Sequence, residues 1–244
     1  MPILHIKSRW QLSFARRRRF ATHFALYSLI IATCFTLALL MGSPSSWAAD
    51  ISVMVVDRNG RGIGEVVVTA TPADSGAVSP SRTKDAVMDQ RNLAFVPRVL
   101  VVAAGTSVEF PNNDIVSHQV YSFSAAKRFQ LPLYKGQVHP PVTFDRPGLV
   151  VLGCNIHDVM VGYIYVTDAP YFGKTEPGGG IDLKNVRDGE YRIGIWSPYI
   201  ADSPAALSRT IRVSGNESAT IRLQLSQTLR PQPEPKPRRR DWEY

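Results

Sequence analysis

The chain has 244 residues, of which 44% are hydrophobic and 20% are charged, and its formal net charge is +8. The basic excess lies at the two ends: residues 1–49 carry six basic and no acidic residues, and residues 230–244 carry five against three. Residues 50–229 hold 17 charges of each sign. Net charge therefore gives no case for nucleic-acid binding, and we expect no nucleic-acid partner.

The N-terminus has the three parts of an export signal. Four consecutive arginines, Arg16–Arg19, precede the apolar run "FALYSLIIATCFTLALLMG", and small residues follow in "SPSSWAA". We predict a signal peptide over residues 1–48, cleaved after Ala48, and a periplasmic location. The alternative is an uncleaved membrane anchor, because residues 24–42 approach the ~20 residues that span a bilayer. We expect membrane association only in that case.

From residue 50 onward the sequence has the pattern of short strands. The runs "ISVMVV", "EVVVTATP", "RVLVVAA", "SVEF", "HQVYSFS", "PVTFD", "GLVVLGC" and "VGYIYVT" are rich in Val, Ile, Phe and Tyr. Turn sequences such as "DRNGRG", "PNND" and "DRPG" separate them. No segment shows an amphipathic helical period over three turns. The pattern predicts an all-β fold of sandwiches or barrels.

Three segments interrupt the strand pattern. Residues 73–86 read as a polar linker, and residues 173–191 are rich in turn-forming residues. The tail over residues 227–244 alternates proline with charge in "RPQPEPKPRRR". Such a segment cannot bury a hydrophobic core, so we predict that the tail is disordered or extended.

Removal of the leader would leave one cysteine, Cys154, in the stretch "GCNIHDVM". A single thiol in an oxidising compartment cannot form an internal disulfide. A buried structural cysteine is the alternative, and it is common. Cys154, however, stands with His157 and Met160 at equal spacings of three. Two imidazoles, a thiolate and a weak axial thioether are the ligands of a copper site that cycles between Cu(I) and Cu(II).

The second imidazole has to come from a distant segment. His118, in "FPNNDIVSHQVYSFS", follows a turn and opens a strand-like run 36 residues before Cys154. His5 and His23 belong to the leader, and the proline after His139 favours an exposed, extended loop. We therefore take His118 as the candidate.

Other chemistries fit this group less well. A Cys-His hydrolase would use Cys154 as nucleophile and His157 or His118 as base, but it leaves Met160 unexplained. Zinc prefers further thiolates or imidazoles, and a thioether is a poor zinc ligand. A dinuclear copper centre would need two cysteines.

Residues 90–168 resemble a cupredoxin domain of the plastocyanin and pseudoazurin type. The similarity lies in "FVPRVLVVAAGTSVEFPNNDIVSHQV" and "VTFDRPGLVVLGCNIHDVMVGYIYV". More narrowly, "VYSFS", "LPLYKG" and "GCNIHDVM" are similar to exported cupredoxin-like proteins labelled methylamine utilization proteins. The resemblance implies a Greek-key β-sandwich with one type 1 copper per chain. It makes His118 and His157 the imidazole ligands, Cys154 the thiolate and Met160 the axial thioether.

A second resemblance covers the flanking segments. "ISVMVVDRNGRGIGEVVVTATP", "GGIDLKNVRDGEYRIGIWSP" and "SRTIRVSGNESATIRLQL" resemble strands of a small Ig-like, carboxypeptidase-regulatory-like β-sandwich. Residues 50–72 and 172–225 would form this sandwich, with the cupredoxin domain inserted between its halves. The alternative is a tandem arrangement, in which an N-terminal hairpin packs on the cupredoxin and a separate sandwich follows.

These resemblances imply an electron carrier and not an enzyme. We expect single-electron exchange with redox partner proteins whose identity the sequence does not indicate. One alternative is copper storage or delivery in the periplasm. Another, from a different class, is a non-catalytic envelope module that binds protein or carbohydrate.

Overall fold

The computed structural model describes residues 48–74, 86–136, 139–214 and 219–226. The predicted tail and all of the predicted signal peptide except Ala48 lie outside the described residues, as does most of the polar linker. The predictions for those segments stay predictions. Among the described residues, no helix is long and apolar enough to cross a membrane.

The described residues form seventeen strands and one short helix. In chain order these are β1 Ala48–Val56, β2 Val67–Pro72, β3 Ala86–Val87, β4 Asp89–Arg91, β5 Ala94–Val96, β6 Val99–Ala103, β7 Thr106–Glu109, β8 Tyr121–Ser124, β9 Lys127–Gln130, β10 Val142–Phe144, β11 Gly148–Gly153, β12 Val161–Thr167, β13 Tyr171–Lys174, β14 Gly180–Arg187, β15 Gly189–Trp196, α1 Pro204–Leu207, β16 Arg209–Val213 and β17 Ala219–Gln224. The prediction of an all-β chain is confirmed.

Two sheets made from the ends of the described chain form what we call the outer lobe. One sheet has the order β14-β1-β17, and the other has the order β13-β2-β15-β16. Side chains alternate along β1, so that Ile51, Val53 and Val55 point into the core and are at most 2% exposed. Ile193 of β15 and Leu223 of β17 join the same core. Burial of one face of each strand holds the two sheets together.

The pairing of β1 and β2 explains how the outer lobe is assembled. Strand β1 runs antiparallel to β14 and parallel to β17, while β2 runs antiparallel to β13 and β15. Within the described residues, neither strand pairs with β3–β12. Strands from both sides of β3–β12 thus meet in one lobe, which is the pairing that an insertion requires. The exact domain bounds and the relationship of the outer lobe to regulatory-like sandwiches stay predictions.

Strands β3–β12 form what we call the inner lobe. Its main sheet has the order β6-β12-β11-β8-β9, and a smaller sheet has the order β10-β7-β3. Phe110, Phe129 and Phe144 meet between the sheets with ring centroids 5.6–6.4 Å apart. Leu152 of β11 and Ile164 of β12 are fully buried beside them. This core supports the strand ends that carry the predicted ligands.

The two lobes pack directly against each other. Tyr163 and Tyr165, on the outward face of β12, lie against Trp196 of β15 with centroid distances of 5.8 and 5.4 Å. Lys174 of β13 donates to the backbone carbonyl of Val99 in β6 over 3.0 Å. The outer lobe therefore covers part of the main sheet of the inner lobe.

The turn before β14 provides a test of the outer lobe. Gly179 has φ +84°, and a Cβ there would lie 2.3 Å from the Val55 carbonyl oxygen. Gly179→Ala should lower the free energy of unfolding by at least about 2 kcal/mol, since left-handed strain and a backbone clash add. Urea denaturation measures this. Gly178→Ala is the matched control, because an added Cβ meets nothing within 4 Å there; equal losses in both variants would contradict the assigned turn.

Candidate metal centre

Strand pairing brings two predicted ligands to one end of the inner lobe. His118 lies just before β8, and its N–H and C=O both bond to the backbone of Tyr134, each over 3.0 Å. Cys154 directly follows Gly153, the last residue of β11. Strands β8 and β11 pair at Tyr121 and Gly153. The segments that carry His118 and Cys154 are therefore held side by side.

Three donor atoms converge at this end. The Cys154 Sγ lies 3.8 Å from His118 Nδ1 and 3.6 Å from His157 Nδ1. The two Nδ1 atoms are 3.1 Å apart, and the imidazole rings meet edge to face. Among the described residues, these three form the cluster of His, Cys, Asp and Glu side chains able to hold a metal ion. The structure thus brings together three of the four predicted ligands.

Met160 lies in the core next to this cluster. Its side chain is 1% exposed and belongs to the same group of packed residues as Cys154. Its backbone N–H donates to the His157 carbonyl over 2.9 Å, which closes a tight turn between the two residues. Met160 is therefore near the donors, and its role as an axial ligand stays a prediction.

His139 differs from its predicted environment. The sequence predicted an exposed loop, but the ring is half-buried and packs edge-on against Tyr134 at 4.4 Å. Tyr134, five residues earlier in the chain, provides this cover, which the proline after His139 does not indicate. His139 is not part of the three-residue cluster.

Asp114 belongs to the site, although the sequence did not predict it. Asp114 Oδ2 lies 3.0 Å from His118 Nε2, and both side chains are buried. Because an ionised carboxylate only accepts hydrogen bonds, Nε2 of the imidazole carries a proton, and Nδ1 is the nitrogen that faces Cys154. The signal was present in the sequence as the acid four residues before His118, within the turn sequence "PNND".

Asn112 supports the turn that carries Asp114. Its Oδ1 accepts from the Asp114 N–H over 2.9 Å. Its Nδ2 donates to the carbonyls of Tyr134 and Val116 over 2.8 and 3.0 Å. One buried amide thus ties the Asp114 turn to the segment that pairs with His118.

The electrostatics of the cluster favour a thiolate. Burial alone raises the pKa of Cys154, but hydrogen bonds from His118 and from the N–H groups of Gln119 and Ile156 outweigh it and lower the pKa to about 6. Burial alone lowers the pKa of His118, but its bonds to Cys154 and Asp114 outweigh that effect and raise the pKa. The thiolate is the form that binds metals.

The same balance keeps Asp114 ionised. Burial alone raises the pKa of this carboxyl group. Hydrogen bonds from the Leu93 N–H, from His118 and from the Ile115 N–H outweigh burial, and the net effect lowers the pKa. A negative charge is therefore stabilised beside the buried imidazole.

The donor spacing fits one metal ion. Imidazole nitrogens and a thiolate bind a first-row ion at about 2.0–2.3 Å, so donors that share it lie roughly 3–4 Å apart. The observed separations of 3.1, 3.6 and 3.8 Å fall in that range. Cys154 itself is only 3% exposed.

Part of the chain resembles solved cupredoxins. A purple cupredoxin from Nitrosopumilus maritimus is 25% identical over 34% of this chain and 100% of its own, with a TM-score of 0.31. A reduced amicyanin mutant is 21% identical over 41% of this chain and 99% of its own, with a TM-score of 0.32. A Cu-containing nitrite reductase from Thermus scotoductus SA-01 is 28% identical over 40% of this chain and 25% of its own, with a TM-score of 0.33.

No protein-family model matches the chain, and no curated protein matches it. Similarity at TM-scores this low assigns no function by itself. The functional assignment therefore depends on the donor geometry.

Replacing Asn112 tests the support of the site. Asn112→Ala removes three hydrogen bonds to the backbone, so we expect the metal-free protein to lose about 2–4 kcal/mol of unfolding free energy. Asn112→Asp keeps the acceptor for Asp114 but places a carboxylate against two carbonyl oxygens. Asn112→Asp should lower the unfolding free energy by at least as much as Asn112→Ala does, although the new side chain has the size of the old one. Urea denaturation of both variants measures this, and a neutral Asn112→Asp would contradict the assigned bonds.

Proposed function

We propose that the inner lobe binds one copper ion and transfers single electrons between protein partners. The observation that carries the proposal is the position of the Cys154 Sγ, within 3.8 Å of two imidazole Nδ1 atoms from separate segments. His118, His157 and Cys154 would hold the ion, with Met160 as a weak axial ligand. Copper bound there would accept and return one electron.

The chain's own contribution is a set of donors that packing holds in place. His118 is fully buried, and Cys154 and Met160 are at most 3% exposed. Side chains in a close-packed core cannot move far when the charge of the site changes. One geometry that serves both oxidation states favours fast electron exchange, and it favours a carrier over a storage or delivery protein.

His157 lies on the side of the site that proteins can approach. It is half-buried, and its loop neighbours Ile156 and Val159 are 51% and 47% exposed. Ile115, from the loop before β8, is 51% exposed. Exposed apolar side chains around a metal ligand suit brief contact with a partner protein. In this proposal the protein carries out no catalytic step, and electrons pass through this loop.

The location and the wider relationships are part of the proposal. We place the protein in the periplasm after cleavage behind Ala48, which leaves the buried Ala49 as the first residue. The mass of the mature protein, measured by mass spectrometry, checks the position of the cleavage. We also place the inner lobe with the cupredoxins of the methylamine-utilization type, and the outer lobe with the carboxypeptidase-regulatory-like sandwiches, on the motifs given above.

An optical spectrum of the purified protein with Cu(II) tests the copper proposal. We expect one copper per chain and an intense visible thiolate-to-Cu(II) charge-transfer band, because the thiolate lies beside two imidazoles. Cys154→Ser should abolish the band. His139→Ala is the control and should keep it, since His139 is outside the donor cluster. A colourless complex with ordinary tetragonal EPR would overturn the proposal.

Met160→Leu tests the axial ligand. Leucine has similar volume and no donor atom, so copper should stay bound and the colour should remain. The reduction potential should rise, because Cu(II) loses a donor. Voltammetry of the variant and the wild-type protein measures the change. An unchanged potential would show that Met160 is only a core residue.

A further inference from the structure

Asp114 is a buried carboxylate in contact with the donor cluster, and the proposed function gives it no role. Its side chain is 3% exposed, and its Oδ2 lies 3.0 Å from the Nε2 of His118, which is fully buried. The same Oδ2 accepts from the Leu93 N–H over 2.8 Å, and Oδ1 accepts from the Ile115 N–H over 2.7 Å. Burying a carboxylate is unfavourable unless it is hydrogen-bonded, and here these partners compensate its charge.

Resting on the proposed copper site, we infer that Asp114 is a positioning residue that orients His118 toward the metal and lowers the reduction potential. It would act through the imidazole, without touching the ion.

The orientation follows from the hydrogen bond. Asp114 holds the Nε2 end of the ring, so the Nδ1 end must point to Cys154 and His157, 3.8 and 3.1 Å away. A ring flip would place a proton donor at the metal and leave the carboxylate without its partner. Carboxylates that bond to the far nitrogen of a metal-binding histidine fix its tautomer and make it a stronger donor.

The effect on the potential follows from charge. The thiolate of Cys154 and the carboxylate of Asp114 are both buried and contribute two negative charges. Cu(II) would make the group neutral, whereas Cu(I) would leave it with one negative charge. A buried environment disfavours net charge. Asp114 therefore stabilises the oxidised site, and its removal should raise the potential.

The turn between β4 and β5 places a backbone donor at Asp114. Asn92 and Leu93 have φ of 51° and 58°, a left-handed conformation that is unfavourable for leucine. This conformation directs the Leu93 N–H to Asp114. Positive φ at both positions is what a two-residue hairpin turn requires, so the β4–β5 hairpin itself fixes this donor beside Asp114.

Asp114→Asn is the decisive variant, because the amide can still accept the His118 proton but carries no charge. We expect the Cu(II) dissociation constant to rise about 10- to 100-fold. The Cu(I) dissociation constant should change little, so the potential should rise by about 59 mV for each tenfold change in their ratio. Competition titrations give the Cu(II) and Cu(I) dissociation constants, and voltammetry gives the potential independently.

Two controls separate this effect from fold and net charge. Asp89→Asn removes another buried carboxylate, which bonds to Asn113 and Arg91 and not to a predicted ligand. Asp158→Asn removes an exposed charge next to His157. Both variants should change the potential far less than Asp114→Asn. Unfolding curves of the metal-free proteins show that each variant is folded.

A measurement on the wild-type protein covers the case in which Asp114→Asn does not fold. In the Cu(I) protein, the Nε2 proton of His118 should be shifted downfield and protected from solvent exchange in nitrogen-15 NMR spectra. A rapidly exchanging proton would overturn the inference.

The outcomes distinguish this inference from the copper proposal. If the wild-type protein shows no charge-transfer band, the copper proposal itself fails. If the band is present but Asp114→Asn shifts the potential no more than Asp158→Asn does, the copper proposal stands and Asp114 is not a positioning residue.

Discussion

The close approach of β8 and β11 determines whether a metal centre can exist in this protein. At their point of pairing, the ring of Tyr121 occupies the space beside Gly153, where a Cβ would lie 2.7 Å from the ring. A residue with a side chain at 153 would displace the Tyr121 ring. Because Cys154 follows Gly153 at once and His118 lies three residues before β8, the pairing of these strands sets the distance between thiolate and imidazole.

Burial divides the site into two sides with different roles. His118, Cys154 and Met160 belong to the interior, where packing and the Asp114 carboxylate limit their movement. His157 belongs to a loop whose neighbours, Ile156 and Val159, are exposed. In the proposed function the interior side sets the geometry and the potential, while the loop side meets the partner. One strand–loop–strand segment, β11 to β12, connects both sides.

The outer lobe covers part of the main sheet of the inner lobe. Trp196 covers the outward face of β12 at Tyr163 and Tyr165. Among the described residues, β1 and β2 pair with strands that follow the inner lobe, so the outer lobe is built from segments on both sides of it.

The sequence by itself determined the all-β class, because alternating short apolar runs and turn residues need only local periodicity. It also indicated Cys154, His157 and Met160 together, since one tight loop carries all three. It also proposed His118 by elimination, but only the tertiary structure shows the strand pairing that brings His118 to Cys154 and His157. The bond from the Leu93 N–H to Asp114 likewise joins residues 21 positions apart, which no local pattern indicates. Periodicity and spacing report on what one segment does, whereas burial and hydrogen bonding between segments arise only when the sheets close.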